Sequence, residues 1–114
     1  MNPKVFKLIT GEEIIADVVK VETVSAAGRT QVKVFEVRWP MLVSLNHGQL
    51  DIVPWIIGER DPGQLYPIRF EHILFYLEHI DDLLEEIYEG FLQTRLDEAA
   101  MGVRIREDQN ITES

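Results

Sequence analysis

Apolar and polar positions divide this chain into two regimes, one with a period of two and one with a period near 3.6. Val5-Phe6-Lys7-Leu8-Ile9 predicts a short strand, closed by a Thr10-Gly11-Glu12 turn in which Gly11 frees the backbone. Residues 13–21 put Ile14, Ala16 and Val18 on one face and Ile15 and Val19 on the other. A strand apolar on both faces is buried on both or strongly bent. Ser25-Ala26-Ala27-Gly28-Arg29 reads as a loop. The clearest alternation follows, with Val32, Val34, Phe35 and Val37 set among Gln31, Lys33, Glu36 and Arg38. Pro40 cannot donate to a ladder, so a bend or a sheet edge is expected there. Residues 41–45 resume the strand, Asn46-His47-Gly48-Gln49 predicts a hairpin turn, and 50–57 form a return interrupted by Pro54. Residues 58–63 are a loop, and 65–70 and 73–77 are two short extended pieces.

After Glu78 the period changes. Ile80, Leu83, Leu84, Ile87, Tyr88, Phe91 and Leu92 fall on one helical stripe, and Asp81, Asp82, Glu85, Glu86 and Glu89 on the opposite one. Acidic residues in the first turn suit the positive end of the helix dipole. The pattern predicts a helix to about Ala100, capped by Gly102 and followed by a frayed polar tail. The expected fold is mainly β: about five short, strongly bent strands in a small, partly open barrel, with an added C-terminal amphipathic helix. Residues 1–78 form the barrel and 79–101 the acidic helix, packed on the barrel or on a neighbouring subunit. Residues 102–114 form a flexible tail.

Composition narrows the function classes. At 114 residues the chain is the size of one domain, and 46% hydrophobic residues suffice for one core. The absence of cysteine excludes disulfides, thiolate metal sites and cysteine nucleophiles. With no signal peptide or apolar span, a soluble protein of the cytoplasm is expected. Net charge is −9, but it is uneven. Residues 1–77 carry eight basic and nine acidic side chains, whereas 78–114 carry three and eleven. The first two-thirds is therefore nearly neutral, and the acidic remainder opposes non-specific binding of polyanions.

Two segments resemble the Sm-like superfamily of Sm, LSm and Hfq proteins. Residues 5–18, with Gly11 at the turn and Ala16 where a second glycine often stands, look like the start of the Sm1 motif. Ile68-Arg69-Phe70-Glu71-His72-Ile73 looks like the Ile-Arg-Gly-x-Asn-Ile pattern of Sm2. Arg69 and Ile73 match it, His72 stands for the asparagine and Phe70 replaces the glycine. The Asp-x-x-x-Asn stretch of Sm1 has no counterpart between Glu22 and Gln31. The Trp39-Pro40 and Pro54-Trp55 pairs look more like the divergent phage and cyanophage members. The resemblance implies a closed homo-oligomeric ring of about five to seven subunits, joined by pairing the fourth strand of one to the fifth of the next. It also implies single-stranded RNA binding at the pore face, and a host-cell cytoplasm if the chain is phage-encoded.

On that basis Arg69 is the first candidate for RNA contact, with His72 and the Asn46–His47 turn assisting. Each has a structural alternative: an Arg69–Glu71 ion pair, a satisfied turn histidine, ordinary hairpin chemistry. Ile73, Leu74, Phe75, Tyr76 and Leu77 are the expected oligomer interface, because this strand is apolar on both faces. Trp39, Trp55, Phe35 and Tyr66 are potential stacking platforms but fit a core or an interface better. Glu71-His72 and Glu78-His79 do not form a metal motif, and Ser25 and Ser44 lack the context of a nucleophile. The expectation is a protein that is no enzyme and uses no cofactor or metal. The alternative to RNA binding is an oligomeric scaffold or protein-interaction module that has lost it.

Overall fold

Two apolar faces on one strand require two cores, and the fold supplies them on opposite sides of one sheet. The computed structural model describes residues 1–56, 61 and 63–113, with 98–113 described through the backbone alone. The strands are β1 (Pro3–Leu8), β2 (Glu13–Ala26), β3 (Arg29–Asn46), β4 (Gln49–Pro54), β5 (Tyr66–Arg69) and β6 (Ile73–Leu77). A single 3₁₀ turn, Phe70–His72, joins β5 to β6, and one helix, α1 (Asp82–Glu113), follows. The sheet is antiparallel and open, in the order β4-β3-β2-β1-β6, with β5 paired to β3 beside the other half of that long strand.

The short connection between β5 and β6 dictates the curvature. Four strand steps separate them along β5-β3-β2-β1-β6, which in a flat sheet is about 19 Å at ~4.8 Å per step. The turn that joins them has three residues, a rise of only about 6 Å. The sheet must therefore curl until its two ends nearly meet. The aromatic contacts agree. Phe35 on β3 and Tyr76 on β6 lie three strands apart, yet their ring centroids are 5.1 Å apart, in an edge-to-face contact. Phe6 stands at 5.1 Å from Phe35 as well. Around these rings Leu8, Ile14, Ala16, Val18, Val37 and Ile68 close the inner core.

The outer face carries the second core. Val5, Ile15, Met41 and Ile52 meet Tyr88 and Leu92 of α1, with Ile80, Leu84, Ile87 and Leu96 packed around them. Within the single chain the helix thus docks on its own sheet. Asp81 fixes its start, its carboxylate accepting the Leu83 N–H at 2.8 Å. That places the first helical residue at Asp82, three later than the expected 79. The C-terminal end also differs from expectation, since the helix continues past Ala100 and Gly102 to Glu113. A lone glycine costs a helix only about 1 kcal/mol, and no proline follows it to stop the ladder.

The expected count of about five short strands is corrected to six among the described residues, two of them long. β3 runs unbroken through Pro40 because the pairing absorbs the proline in a bulge. Asp17 pairs with Arg38 and Ile15 with Met41, so Ala16 alone opposes both Trp39 and Pro40. Trp39 takes φ 54°, a left-handed conformation costly for a bulky residue. Two contacts hold it there. The Tyr88 hydroxyl donates to the Trp39 carbonyl oxygen at 2.8 Å, and the Arg38 guanidinium lies 4.0 Å over its ring. Arg38 is in turn held by the buried Asp17 carboxylate at 2.6 Å, whose other oxygen accepts the Asn2 N–H at 2.7 Å. Burial, and then the charge of Asp17, push the Tyr88 phenol far above its usual range, so it stays a donor.

Replacing Tyr88 by Phe should therefore remove a buried hydrogen bond and leave the Trp39 carbonyl unsatisfied. The expected loss is about 1–2 kcal/mol in urea unfolding, with an unchanged denaturant slope because the exposed area is the same.

Candidate interaction surfaces

Edge strands are where a curled open sheet meets other molecules, and β4, β5 and β6 each keep one unpaired side among the described strands. They are protected unequally. β4 carries Asp51 and ends in Pro54, and β5 contains Pro67. A charge or a proline on an edge weakens pairing with another chain at the residue that carries it, so these two strands are protected in part. β6, Ile-Leu-Phe-Tyr-Leu, carries neither.

The five candidate interface residues divide by position. Ile73 and Tyr76 are half-buried and pack against the inner core. Leu74, Phe75 and Leu77 are exposed by 62%, 56% and 45%. The pairing of β6 with β1 passes from Lys7↔Phe75 to Leu8↔Ile73, which leaves Leu74 as an extra residue with no partner. Beyond that bulge Phe75 and Leu77 lie on the α1 side, opposite Lys7 and Val5, while Tyr76 points inward with Phe6. Phe70, in the turn before β6, is also exposed. Together these side chains make an apolar margin along one end of the sheet.

Lys4 ties this margin to the rest of the fold. Its almost fully buried ammonium donates to the Glu78 carboxylate at 2.9 Å and to the Glu78 carbonyl at 3.2 Å, just past the end of β6. The hydrogen bond and the charge of Lys4 hold the Glu78 carboxyl below its ordinary range.

The proposed RNA-contacting residues do not form one site. Arg69 ends β5 opposite Val34 of β3. It lines a cleft of about 220 Å³ with Glu22, Lys33, Val34 and Glu71. Its Nη1 is 3.7 Å from Glu71, and both side chains are largely exposed, so this ion pair is loose. His72 lies 4.0 Å from the same carboxylate and lines a different, mostly apolar cavity of about 330 Å³ with Leu8, Ile9, Trp55 and Ile68. The Trp55 indole borders that cavity and donates to Glu12 at 3.1 Å, so it is a wall rather than a free platform. Asn46 and His47 belong to the tip of the β3–β4 hairpin. His47 and Gly48 take φ 52° and 78°, as a two-residue hairpin turn requires. The Asn46 amide donates to Asp51 at 2.7 Å. Asn46 lies twelve positions along β3 from Val34, opposite Arg69, a strand contour of about 40 Å. The hairpin tip is therefore a separate feature. Gly11 takes φ 92° in the β1–β2 turn, where its N–H reaches the Leu8 carbonyl at 2.9 Å.

Two partners escaped the sequence reading. Lys33 joins Arg69 only through the β3–β5 pairing, which no local pattern announces. The buried Lys4 contacts Glu78 across 74 positions of sequence. Among the described residues no three His, Asp or Glu side chains converge as a metal site, and no helix is long and apolar enough to cross a membrane.

No protein-family model matches the chain, and no curated protein matches it either.

The Lys4–Glu78 pair makes a pH prediction. A carboxyl with a folded-state pKa below its unfolded value adds stability above the unfolded pKa. That stability is lost as pH falls through the folded value. Glu78→Gln should therefore weaken the acid-side fall in stability, as measured by urea unfolding across pH 2–6. The variant should be less stable than the parent at pH 7 and converge on it at the acid end.

Proposed function

We propose that this chain is a ring-forming protein of the Sm-like type, a non-enzymatic assembly unit that closes by pairing its β5 edge with the β6 edge of the next copy. One observation carries the reading. β6 is a completely apolar edge strand, with Leu74, Phe75 and Leu77 exposed in the single chain. Such an edge templates aggregation unless another strand covers it. β5 and β6 lie at opposite ends of a curled sheet and follow one another through a three-residue turn. One copy can thus offer one edge to each of two neighbours, a head-to-tail arrangement that closes when the rotation fits. The Sm1-like and Sm2-like segments lie in this arrangement at the β1–β2 turn and at the β5–β6 turn.

A second reading, binding of single-stranded RNA, is favoured by the convergence of Lys33 and Arg69 on one cleft. Glu22 and Glu71 in the same cleft and the net charge of −9 oppose it. The oligomeric scaffold is therefore the better-supported function, with RNA as the partner to test on it.

Native mass spectrometry of the purified chain should show one closed species of about five to seven subunits. Leu74→Lys, which puts a charge on the open edge, should yield folded monomer; a wild-type monomer at micromolar concentration would overturn the reading. If RNA is the partner, an oligonucleotide should bind with an affinity that falls steeply with salt, and Lys33→Ala should reduce that salt slope by about one. Binding that ignores salt and Lys33 would leave the scaffold alone.

A further inference from the structure

The inner core is complete without the helix. Among the described residues, no side chain of α1 belongs to the cluster around Phe6, Phe35 and Ile68 or packs against it. What α1 covers is the other face of the sheet, where Val5, Ile15, Met41 and Ile52 are at most 7% exposed. Its grip on that face is narrow. Tyr88 and Leu92 are buried, whereas Leu83 and Phe91 are 64% and 43% exposed. The Tyr88 phenol donates to the Trp39 carbonyl at 2.8 Å and accepts from the Asp17 backbone N–H. Its hydroxyl thereby fills the gap that the bulge opens between β2 and β3.

The socket that receives Tyr88 is built by the sheet itself. Arg38 lies on the Trp39 ring at 4.0 Å and is held by Asp17 at 2.6 Å, and Asp17 also takes the Asn2 N–H at 2.7 Å. None of these contacts uses the helix. If Tyr88 leaves, water reaches the Trp39 carbonyl and the Asp17 N–H, so neither is left buried and unpaired. The connection to the helix is fixed at both ends. Lys4 pins Glu78 on the sheet side and Asp81 caps the helix on the other, which leaves His79 and Ile80 between two anchors. An open groove of about 570 Å³, lined by Val5, Val43, Leu50 and Leu77, already borders the first helical turn at Leu84.

We propose that α1 is a hinged cover, latched by Tyr88, that opens as a unit from an intact curled sheet and uncovers the apolar outer face of Val5, Ile15, Met41 and Ile52. This goes beyond the assembly reading and needs only the single chain. A helix off its sheet keeps little structure of its own, since packing rather than propensity stabilises it. Opening therefore exposes the α1 amides to exchange while the strand amides stay paired.

The test is native-state hydrogen exchange by NMR, in urea too dilute to unfold the protein. In the parent, the amides of residues 87–96 should exchange at least about tenfold faster than the most protected amides of β1, β2 and β3. Their rates should also depend less steeply on urea, because opening exposes less surface than unfolding. Tyr88→Phe should speed both sets, by roughly five- to thirtyfold, because the latch is lost in the open and the unfolded state alike. Ile68→Val, which trims the inner core by one carbon, separates the two sets. It should speed the strand amides by roughly two- to tenfold and leave residues 87–96 unchanged, since the inner core stays packed when the helix lifts. Phe35→Leu should repeat that pattern with a larger effect. Helix and strand amides that quicken by the same factor in these two core variants overturn the cover. So does a parent in which both sets exchange alike, because the helix then comes away only with the whole fold.

Discussion

The three-residue turn at Phe70–His72 is the constraint on which the rest of this structure depends. It joins strands that lie at opposite ends of the sheet, and no flat sheet can satisfy it. Curling brings Phe35, Phe6 and Tyr76 into one aromatic cluster, although they sit on strands that a flat sheet would hold apart. The Ile9 N–H, donating to the His72 carbonyl at 2.9 Å, fastens the turn to the end of β1. The curvature has to be absorbed elsewhere, and the shifts of register in β2 and β3 do so. The sharpest, at Trp39–Pro40, places a tryptophan in a left-handed conformation that Tyr88 of the helix docked outside helps to hold.

Inner core and outer helix are therefore coupled through one strand. Tyr88 of α1 reaches the bulge from outside with its hydroxyl, while Arg38 and Asp17 brace the same bend from the sheet. The sheet is buried on both faces around Ile14, Ile15 and Ala16, whereas Val19 and Val21 farther along β2 are exposed. Of the edge strands, β6 is apolar, and β4 and β5 carry a charge or a proline. An assembly built through that apolar edge would bury the surface that a single chain leaves to water.

The sequence by itself determined the element types and their faces. Alternation in residues 5–9, 13–21 and 32–45 marked strands, and the change of period after Glu78 marked the helix, because side-chain direction repeats every two residues in one and every 3.6 in the other. The double-faced apolar pattern of β2 signalled burial on both sides for Ile14 to Val18, whereas Val19 is 50% exposed. Gly11, Gly28 and Gly48, all at positive φ, placed the turns, since positive φ is a local demand. Only the tertiary structure decided the rest. Pro40 became the middle of a long strand because the bulge and Tyr88 relieved it, a contact over 49 positions of sequence. Gly102 did not end α1, as a cap glycine only permits a stop and nothing after it enforces one. The candidate site was the least legible part. Arg69, His72, Asn46 and His47 share chemistry but not a place, and Lys33 shares a place with Arg69 that no local pattern records. Side-chain type is written residue by residue, whereas convergence depends on strand pairing and curvature, which are set by contacts far apart in the chain.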